Sequence, residues 1–320
     1  MHYRRLGRSG LKVSEISLGA WITFGKQVDQ TAAANLIHAA YDQGINFFDN
    51  ADMYGGGQAE TLMGEAIKNL PREALVISSK VFWPTMPGPN GRGLSRKHVM
   101  ESIHASLRRL GTDYVDLYFC HRYDPDTPLE EVARVMDGLV HQGKVLYWGT
   151  SEWEAQQIAQ VVGICRQFGL VPPSMEQPQY NMLHRRRFEE DIAPTCRELG
   201  MGITTFSPLY QGILTGKYNQ GIPAVSRASL EDMGWMRDRI TPERLAKVRS
   251  LTNIAQELEL TTGQLALAWI LRRKEISSVI TGATRLEQLD ENVAAAEAVD
   301  LLTNEVLERI EAVLGPTSAA

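Results

Sequence analysis

The stretch INFFDNADMY, residues 45–54, contains the pattern that decides the fold. Residues 45–49 form a short apolar run that ends in the carboxylate of Asp49, and apolar residues at helical spacing follow at Leu62, Ala66 and Ile67. Short apolar runs bounded by turn-forming or charged residues are typical of buried strands, and a spacing of three to four residues is typical of helices. This stretch therefore predicts a strand that is followed by a helix.

The same pattern recurs along the whole chain. Short apolar runs rich in strand-forming residues occur at residues 15–18, 45–49, 74–80, 114–121, 145–150, 174–177, 202–207 and 278–281. Stretches with helical spacing separate them, such as residues 188–199 after the sixth strand. Strand–helix alternation favours parallel strands joined by right-handed crossovers. Eight such units in 320 residues predict an α/β fold, a closed (β/α)8 TIM barrel, rather than a doubly wound sheet.

Three further segments complete the predicted architecture. Residues 3–6 and 11–13 flank a glycine-containing turn and predict an N-terminal β-hairpin, within residues 1–14, that plugs the lower end of the barrel. Residues 208–241 follow the seventh strand and predict a long loop, which in such folds is usually a lid or a binding loop. Extra helices are expected near the C-terminus, and residues 1–320 are expected to form a single domain.

Composition and cysteine content exclude several classes of protein. The chain has 33 Lys and Arg against 38 Asp and Glu, a formal net charge of −5, which argues against a dedicated nucleic-acid binder. No apolar run approaches the roughly 18 residues of a membrane span. The three cysteines, Cys120, Cys165 and Cys196, are widely spaced and indicate reduced thiols in a cytoplasmic protein. No histidine or cysteine cluster has metal-ligand spacing, so no metal is expected.

Four polar residues mark the ends of successive predicted strands. Asp49 ends the second strand, Lys80 the third and His121 the fourth, and Tyr54 lies five residues after Asp49. The carboxyl ends of barrel strands meet at one mouth, so these side chains are expected to converge. A lysine paired with a carboxylate would lower the pKa of a nearby tyrosine, and a histidine can orient a carbonyl oxygen. Each residue alone has an ordinary structural explanation, such as a helix cap, but together they predict an acid site for carbonyl chemistry.

Several motifs resemble the aldo-keto reductase family. They are FDNADMYG at 48–55, SSK at 78–80, LYFCHRYD at 117–124, EQPQYN at 176–181 and GATRLEQLDEN at 282–292. Within that family, YWGTSEW at 147–153 and GIPAVSRASL at 221–230 are most similar to the voltage-gated potassium-channel β-subunit group and its plant and bacterial relatives. The resemblance covers nearly the whole chain.

The resemblance implies a mechanism for the four polar residues. Tyr54 would be the general acid, Lys80 would lower its pKa, and Asp49 would hold Lys80 by an ion pair. His121 would orient the substrate carbonyl while NADPH delivers hydride to the carbonyl carbon. Animal channel subunits carry Asn at the position of His121, so the histidine here restores the usual reductase tetrad. The substrate pocket would contain Trp21, Tyr54, Trp83 and His121, an aromatic mouth that suits apolar or aryl carbonyls.

The sequence also indicates where a dinucleotide would bind. No G-x-G-x-x-G motif follows a strand, so the Rossmann fingerprint is absent. Thr284 and Glu287 have capping-box spacing, which predicts a helix that begins at Thr284 and presents free N–H groups to a phosphate. The alternative is a plain capped surface helix. Lys217 and Arg227 could add cationic contacts from the long loop.

The resemblance extends this cofactor site, and it implies NADPH rather than NADH. The residues implied are Trp21, Gln27, Asp49, Ser151, Gln177, Phe206, Ser207, Pro208, Leu209, Gln211, Lys217, Arg227, Gly282, Thr284, Gln288, Glu291 and Asn292. Two positions depart from the animal subunits, which carry Tyr at Val225 and Arg at Glu152. These departures imply faster release of the cofactor.

Other functions remain open at this stage. The resemblance leaves open a second function, that of an NADPH-binding, redox-sensing β-subunit of a potassium channel. Such a subunit would turn over little substrate, and the resemblance implies a tetramer and a membrane-channel partner for it. The sequence begins almost at the hairpin, so the N-terminal pore-blocking segment of some animal relatives is not expected. A phosphate-binding barrel isomerase or lyase is a third alternative. The substrate of a reductase would be a small carbonyl compound.

Overall fold

Eight parallel strands form a closed barrel in a computed structural model, which describes residues 1–24, 27–224, 226–229 and 234–316. They are β3 (Ile16–Gly19), β4 (Phe47–Asp49), β5 (Val76–Val81), β6 (Val115–Cys120), β7 (Val145–Ser151), β8 (Met175–Gln177), β9 (Gly202–Thr205) and β10 (Ile276–Thr281). Strands β3 to β9 are neighbours in chain order, and β10 closes the barrel by pairing with both β9 and β3. The predicted (β/α)8 fold is therefore confirmed.

Helices surround the barrel and bury their apolar faces against it. They are α1 (Gln30–Asp42), α2 (Gln58–Ile67), α3 (Arg96–Leu110), α4 (Leu129–His141), α5 (Ala155–Phe168), α6 (Ala193–Leu199), α7 (Gly234–Arg237), α8 (Pro242–Glu257), α9 (Thr262–Leu271), α10 (Leu286–Ala294) and α11 (Asn304–Leu314). The extra C-terminal helices are present as predicted. Within the described ranges, no helix is long and apolar enough to cross a membrane.

The N-terminal hairpin closes the lower end of the barrel. Its strands, β1 (Tyr3–Arg5) and β2 (Lys12–Ser14), pair in antiparallel fashion, and Leu6 and Val13 are fully buried in a cluster with inward-facing barrel residues. Gly7 has φ +57°, and a Cβ on it would lie 2.3 Å from the backbone nitrogen of Gly202. Only glycine allows this backbone approach, so the hairpin is seated directly against the start of β9.

Strand alternation in β5 separates the barrel interior from the helical layer. Ser78 and Lys80 point inward and both contact Asp49, whereas the Ser79 hydroxyl points outward and donates to buried Glu60 of α2. Successive side chains of a strand face opposite sides, so an inward Ser78 requires an inward Lys80. This alternation places the lysine at the upper, C-terminal end of the barrel interior.

The structure differs from the sequence prediction in two segments. The helix expected over residues 188–199 begins with a π-helical turn (Phe188–Ile192), and regular α6 follows it. The long segment 208–241 contains two 3₁₀ turns, Tyr210–Thr215 and Arg227–Ser229, as well as α7. Its division into a separate covering loop, and the assignment of residues 1–320 to a single domain, stay predictions.

Candidate active site

The four polar residues at the strand ends meet at the upper end of the barrel. The Lys80 ammonium is fully buried and donates to the Asp49 carboxylate at 2.6 Å and to the Asn50 carbonyl oxygen at 2.7 Å. Its third contact is the Tyr54 hydroxyl at 3.3 Å. Asp49 also accepts hydrogen bonds from Ser78 at 2.8 Å and from Gln177 at 3.1 Å. The buried charges are thus paired and hydrogen-bonded, as a buried ion pair requires.

The electrostatics of Tyr54 differ from the sequence prediction. Burial and then the negative charge of Asp49 raise the pKa of Tyr54 well above its ordinary value of 10.0. Lys80 was expected to lower this pKa, but Asp49 lies beside the ammonium and offsets its charge. Burial also lowers the pKa of Lys80, and Asp49 opposes that effect. In this state Tyr54 is a neutral phenol that holds its proton at neutral pH.

His121 lies across from Tyr54 and next to Trp83. The imidazole is 5.9 Å from the Tyr54 ring and 6.4 Å from the Trp83 ring, both centroid to centroid and edge to face. Burial lowers the pKa of His121 well below 6.5, and the positive charges of Lys80 and Arg122 act in the same direction with smaller effects. The neutral imidazole therefore offers one N–H donor or one lone pair to a ligand, without a charge.

A cavity of about 850 Å³ extends from Asp49 and Tyr54 to the N-terminus of α10. This size falls within the range of known ligand and cofactor sites. The predicted residues on its wall are Trp21, Gln27, Asp49, Tyr54, Phe206, Ser207, Pro208, Leu209, Gln211, Lys217, Gly282, Thr284, Gln288, Glu291 and Asn292. The structure therefore brings most of the predicted cofactor residues to one continuous surface.

Several predicted residues lie elsewhere. Trp83 and His121 are beside Tyr54 but do not line this cavity. Ser151 and Gln177 are buried behind Asp49: the Ser151 hydroxyl donates to the Gln177 carbonyl oxygen at 2.9 Å, and the Gln177 amide donates to Asp49. They are off the cavity wall because they complete hydrogen bonds between β7, β8 and β4.

Two of the predicted positions in the long loop are only partly covered by the structure. Val225 lies outside the described residues. The backbone of Arg227 belongs to a 3₁₀ turn that ends at Ser229, and its side chain lies outside what the structure describes. The predicted contact of Arg227 with the cofactor therefore stays a prediction.

Glu152, the second departure from the animal subunits, has two partners in the structure. Its carboxylate accepts from the Gln179 backbone N–H at 2.6 Å and pairs with Arg187 at 2.9 Å. Its φ is +59°, in the left-handed region. Glu152 thus holds the loop after β7 against the loop after β8.

The far end of the cavity is where helix α10 begins. The first helical residue is Leu286 and the N-cap is Arg285, so the predicted capping box from Thr284 to Glu287 is wrong. The Thr284 N–H and hydroxyl instead both donate to the Gln288 side chain, at 2.8 and 3.1 Å, because that amide reaches back over the first turn. Arg285, Thr284 and Gln288 all line the cavity, so the N-terminus of a nine-residue helix faces it.

The backbone is strained where it borders the cavity. Ser207, Tyr210 and Gln211 have φ values of +52°, +47° and +56°, the left-handed region that non-glycine residues rarely adopt. The Gln211 amide donates to the Ser207 hydroxyl at 2.8 Å and helps to hold this conformation. Such strain concentrates at functional sites, because surrounding structure must enforce it.

Sequence reasoning missed part of the cavity wall. The missed residues are Gly19, Gly212, Thr215, Ala224, Ser226, Ser229, Thr261, Ile280, Thr281 and Arg285. One signal was available for Thr261, which forms a capping box with Gln264 at the start of α9 and also donates to Glu291. Arg285 follows Thr284 within the motif at 282–292, so its position was a signal as well, whereas the others are ordinary small or apolar residues that only the fold brings to the cavity.

The other polar side chains of the described segments form no metal site. No group of three or more His, Cys, Asp or Glu side chains there could hold a metal ion. Cys120, Cys165 and Cys196 are buried free thiols, and burial raises the pKa of Cys165 to about 11.

Comparisons with known proteins agree with this fold. The model of the Aldo/keto reductase family matches residues 15–314. The chain therefore belongs to the aldo/keto reductase family, a family of oxidoreductases. It is 49% identical over 318 residues to the "Probable voltage-gated potassium channel subunit beta" of Arabidopsis thaliana, covering 98% of this chain and 97% of that protein.

Two further relatives are similar over the same extent. A protein of the same description from Oryza sativa subsp. japonica is 48% identical over 318 residues, with 98% and 97% of the two chains covered. The "Putative voltage-gated potassium channel subunit beta" of Schizosaccharomyces pombe (strain 972 / ATCC 24843) is 47% identical over 322 residues, with 98% and 94% covered.

Proposed function

We propose that this protein reduces aldehydes and ketones to alcohols with NADPH and uses Tyr54 as the general acid. The observation that carries the proposal is the contact chain from Asp49 through the buried Lys80 ammonium to the Tyr54 hydroxyl, at 2.6 and 3.3 Å. Asp49 and Tyr54 also line the large cavity, so this chain of contacts ends where a ligand has room.

Tyr54 supplies the proton, and Lys80 stabilises the phenolate that remains. The raised pKa of Tyr54 keeps the phenol protonated until negative charge develops on the carbonyl oxygen. As the proton leaves, the Lys80 ammonium stabilises the phenolate oxygen by a charge-assisted hydrogen bond. Asp49 holds the ammonium in place, and the Ser78 and Gln177 hydrogen bonds hold Asp49.

His121 would orient the carbonyl oxygen from the opposite side. Its ring lies edge to face against Tyr54, and its lowered pKa keeps the imidazole neutral at pH 7. A neutral donor can hydrogen-bond the carbonyl oxygen without repelling the nearby ammonium.

The cavity suits a dinucleotide phosphate. The cavity wall includes Tyr54 at the catalytic end, and it also includes Lys217, Arg285 and the N-terminus of α10. NADPH bound in this cavity would supply hydride to the carbonyl carbon. Cationic side chains and free helix N–H groups are the usual partners of phosphate. Ser226 and Ser229 lie on the same wall.

The first experiment compares wild-type protein with Tyr54→Phe. NADPH oxidation, followed by the loss of reduced-nicotinamide absorbance, is measured with a panel of aldehydes. We expect turnover by the wild type and a loss of roughly 10²–10⁴-fold in kcat for the variant, because a general acid is removed. Tyr123→Phe is the matched control, since Tyr123 packs on Trp153 instead. Equal turnover by wild type and Tyr54→Phe would contradict the proposal.

The second experiment tests the cofactor. Arg227→Ala is expected to weaken NADPH binding much more than NADH binding, because the 2′-phosphate would lose its cationic partner. Dissociation constants for both cofactors, measured by quenching of tryptophan fluorescence, report the difference. Equal losses for the two cofactors would show that Arg227 does not recognise the 2′-phosphate.

A second candidate function follows from the names of the relatives, which describe potassium-channel β subunits. In this function the protein would be a cytoplasmic, tetrameric, NADPH-binding partner of a membrane channel and would turn over little substrate. Co-purification with a potassium channel would support it. NADPH binding without turnover of any carbonyl would move it ahead of the reductase.

A further inference from the structure

Arg122 is a half-buried arginine beside the proposed catalytic residues with no ion-pair partner among the described residues. It directly follows His121 after strand β6, and its guanidinium donates to the His121 carbonyl oxygen. The guanidinium carbon lies 5.7 Å from the centroid of the Trp83 ring, over the same aromatic wall that contacts His121. The guanidinium thus contacts Trp83 and His121, two residues of the predicted substrate pocket.

Two carboxyl groups, those of Glu152 and Glu176, oppose the lowering of the Arg122 pKa by burial, but each is already bonded to other groups. Glu152 pairs with Arg187 at 2.9 Å and accepts the Gln179 N–H. Glu176 is fully buried and accepts hydrogen bonds from Thr150 and from the Trp153 N–H. Burial raises the pKa of Glu176 to about 8, so this group is mostly neutral at pH 7. Both carboxyl groups act on the guanidinium only from a distance, and neither forms an ion pair with it.

The catalytic residues themselves leave this charge uncompensated. Asp49 and Lys80 cancel one another as an ion pair, and Tyr54 and His121 are neutral at pH 7. Among the charges that shift the pKa values of Tyr54 and His121, that of Arg122 acts to lower both, because it lies close to these two side chains. A partly desolvated cation without a counter-ion is costly, and binding an anion would offset that cost.

We propose that Arg122 binds an anionic group of the substrate, so that the preferred substrates are carbonyl compounds that carry a carboxylate or a phosphate. The guanidinium presents planar donors that match either group in two-point fashion, and its contact with Trp83 limits its freedom to move. The aromatic wall would contact the body of the substrate while the carbonyl faces Tyr54 and His121. This inference rests on the proposed reductase function and adds the substrate class.

The test uses three aldehydes of one shape: 4-formylbenzoate, 4-formylphenyl phosphate and the neutral methyl 4-formylbenzoate. With NADPH, we expect the wild type to favour at least one anion over the ester by tenfold or more in kcat/KM. Arg122→Gln should remove that preference mainly through a higher KM, and Arg122→Lys should restore part of it. The two anions distinguish a carboxylate site from a phosphate site.

Arg92→Gln is the matched control. Arg92 is an exposed arginine that lies over the neighbouring Phe82 ring at 5.3 Å, so it carries the same charge and a similar aromatic contact. We expect this variant to keep the wild-type preference. If Arg122→Gln loses the same factor for the ester as for the anions, Arg122 positions His121 and does not bind substrate, which overturns the inference. A wild type that shows no preference for either anion overturns it as well.

Binding separates this inference from the proposed function. If no aldehyde is turned over, the reductase proposal fails, and calorimetric titration of 4-formylbenzoate and of its ester into the protein with NADP⁺ then tests Arg122. Tighter binding of the anion, lost in Arg122→Gln and kept in Arg92→Gln, supports the anion site. Equal affinities for the anion and the ester overturn it.

Discussion

Asp52 is a buried carboxyl group that makes folding stability depend on pH. It is 2% exposed, and neither carboxyl oxygen has a hydrogen-bond partner of good geometry among the described residues. Burial first, and then the negative charge of Glu60, raise the pKa of Asp52 from 3.8 to about 8. Glu60 remains paired with Arg109 at 2.6 Å and accepts from Ser79 at 2.6 Å, so Asp52 is the member of the pair that holds the proton.

The sign and the size of the effect follow from proton linkage. Between pH 4 and pH 8 the native protein keeps a proton on Asp52 that the unfolded chain releases. The free energy of unfolding therefore falls as pH rises through this window, by about 1.4 kcal/mol per pH unit for this one group. Asp52→Asn removes the dependence. From pH 5 to pH 7, the stability of the variant relative to wild type should rise by roughly 2.7 kcal/mol.

The assay is equilibrium unfolding in urea at pH 5, 6 and 7, followed by tryptophan fluorescence. Asp126→Asn, at an exposed position, reports the effect of losing one surface carboxylate. Glu176 contributes in the same direction in both proteins and cancels in the comparison, because its pKa is raised to about 8 as well. If the difference between Asp52→Asn and wild type stays constant within about 0.5 kcal/mol from pH 5 to pH 7, Asp52 is ionised in the native state and the reasoning fails.

Two further predictions concern the buried ion pair and the hairpin. Lys80→Met should lower the free energy of unfolding by about 3–5 kcal/mol, because Asp49 is left charged and buried. Adding Asp49→Asn should recover most of that loss, as measured by urea unfolding. A double variant no more stable than the single one would contradict this. Gly202→Ala should cost about 1–3 kcal/mol, because its Cβ would lie 2.7 Å from the Gly7 nitrogen, whereas Gly163→Ala, with open space around it in α5, should gain up to about 1 kcal/mol in thermal unfolding. Equal effects of the two alanines would refute the close contact.

Much of the barrel could be predicted because it depends on local patterns. Each strand is a short apolar run between turn-forming residues, and chain order alone sets which strands are neighbours in a closed parallel barrel. The convergence of Asp49, Lys80 and His121 follows from that topology, since each stands at or next to the carboxyl end of its strand. The resemblance added the cavity residues, whose spacing carries little signal by itself.

The helix cap at Thr284 was predicted wrongly because a polar side chain can bond to any of several nearby partners. Thr284 was expected to cap α10 with Glu287, yet Gln288 reaches back to it, and spacing cannot distinguish a contact three residues away from one four residues away. Ser151 and Gln177, which the resemblance places at the cofactor, bond to the neighbouring strand and to Asp49 in the structure, and their contact with a cofactor stays a prediction.

The sequence by itself determined the strand and helix pattern, the barrel, the hairpin plug and the order of the four polar residues at its mouth, because these depend on periodicity and on chain connectivity. Only the tertiary structure decided the charge state of those residues. Tyr54 has a raised pKa because burial and the charge of Asp49 outweigh the charge of Arg122, and Arg122 forms no ion pair within the described part of the chain because Arg187 already pairs with Glu152. Desolvation and the distances between charges are properties of packing, and no spacing along the chain contains them.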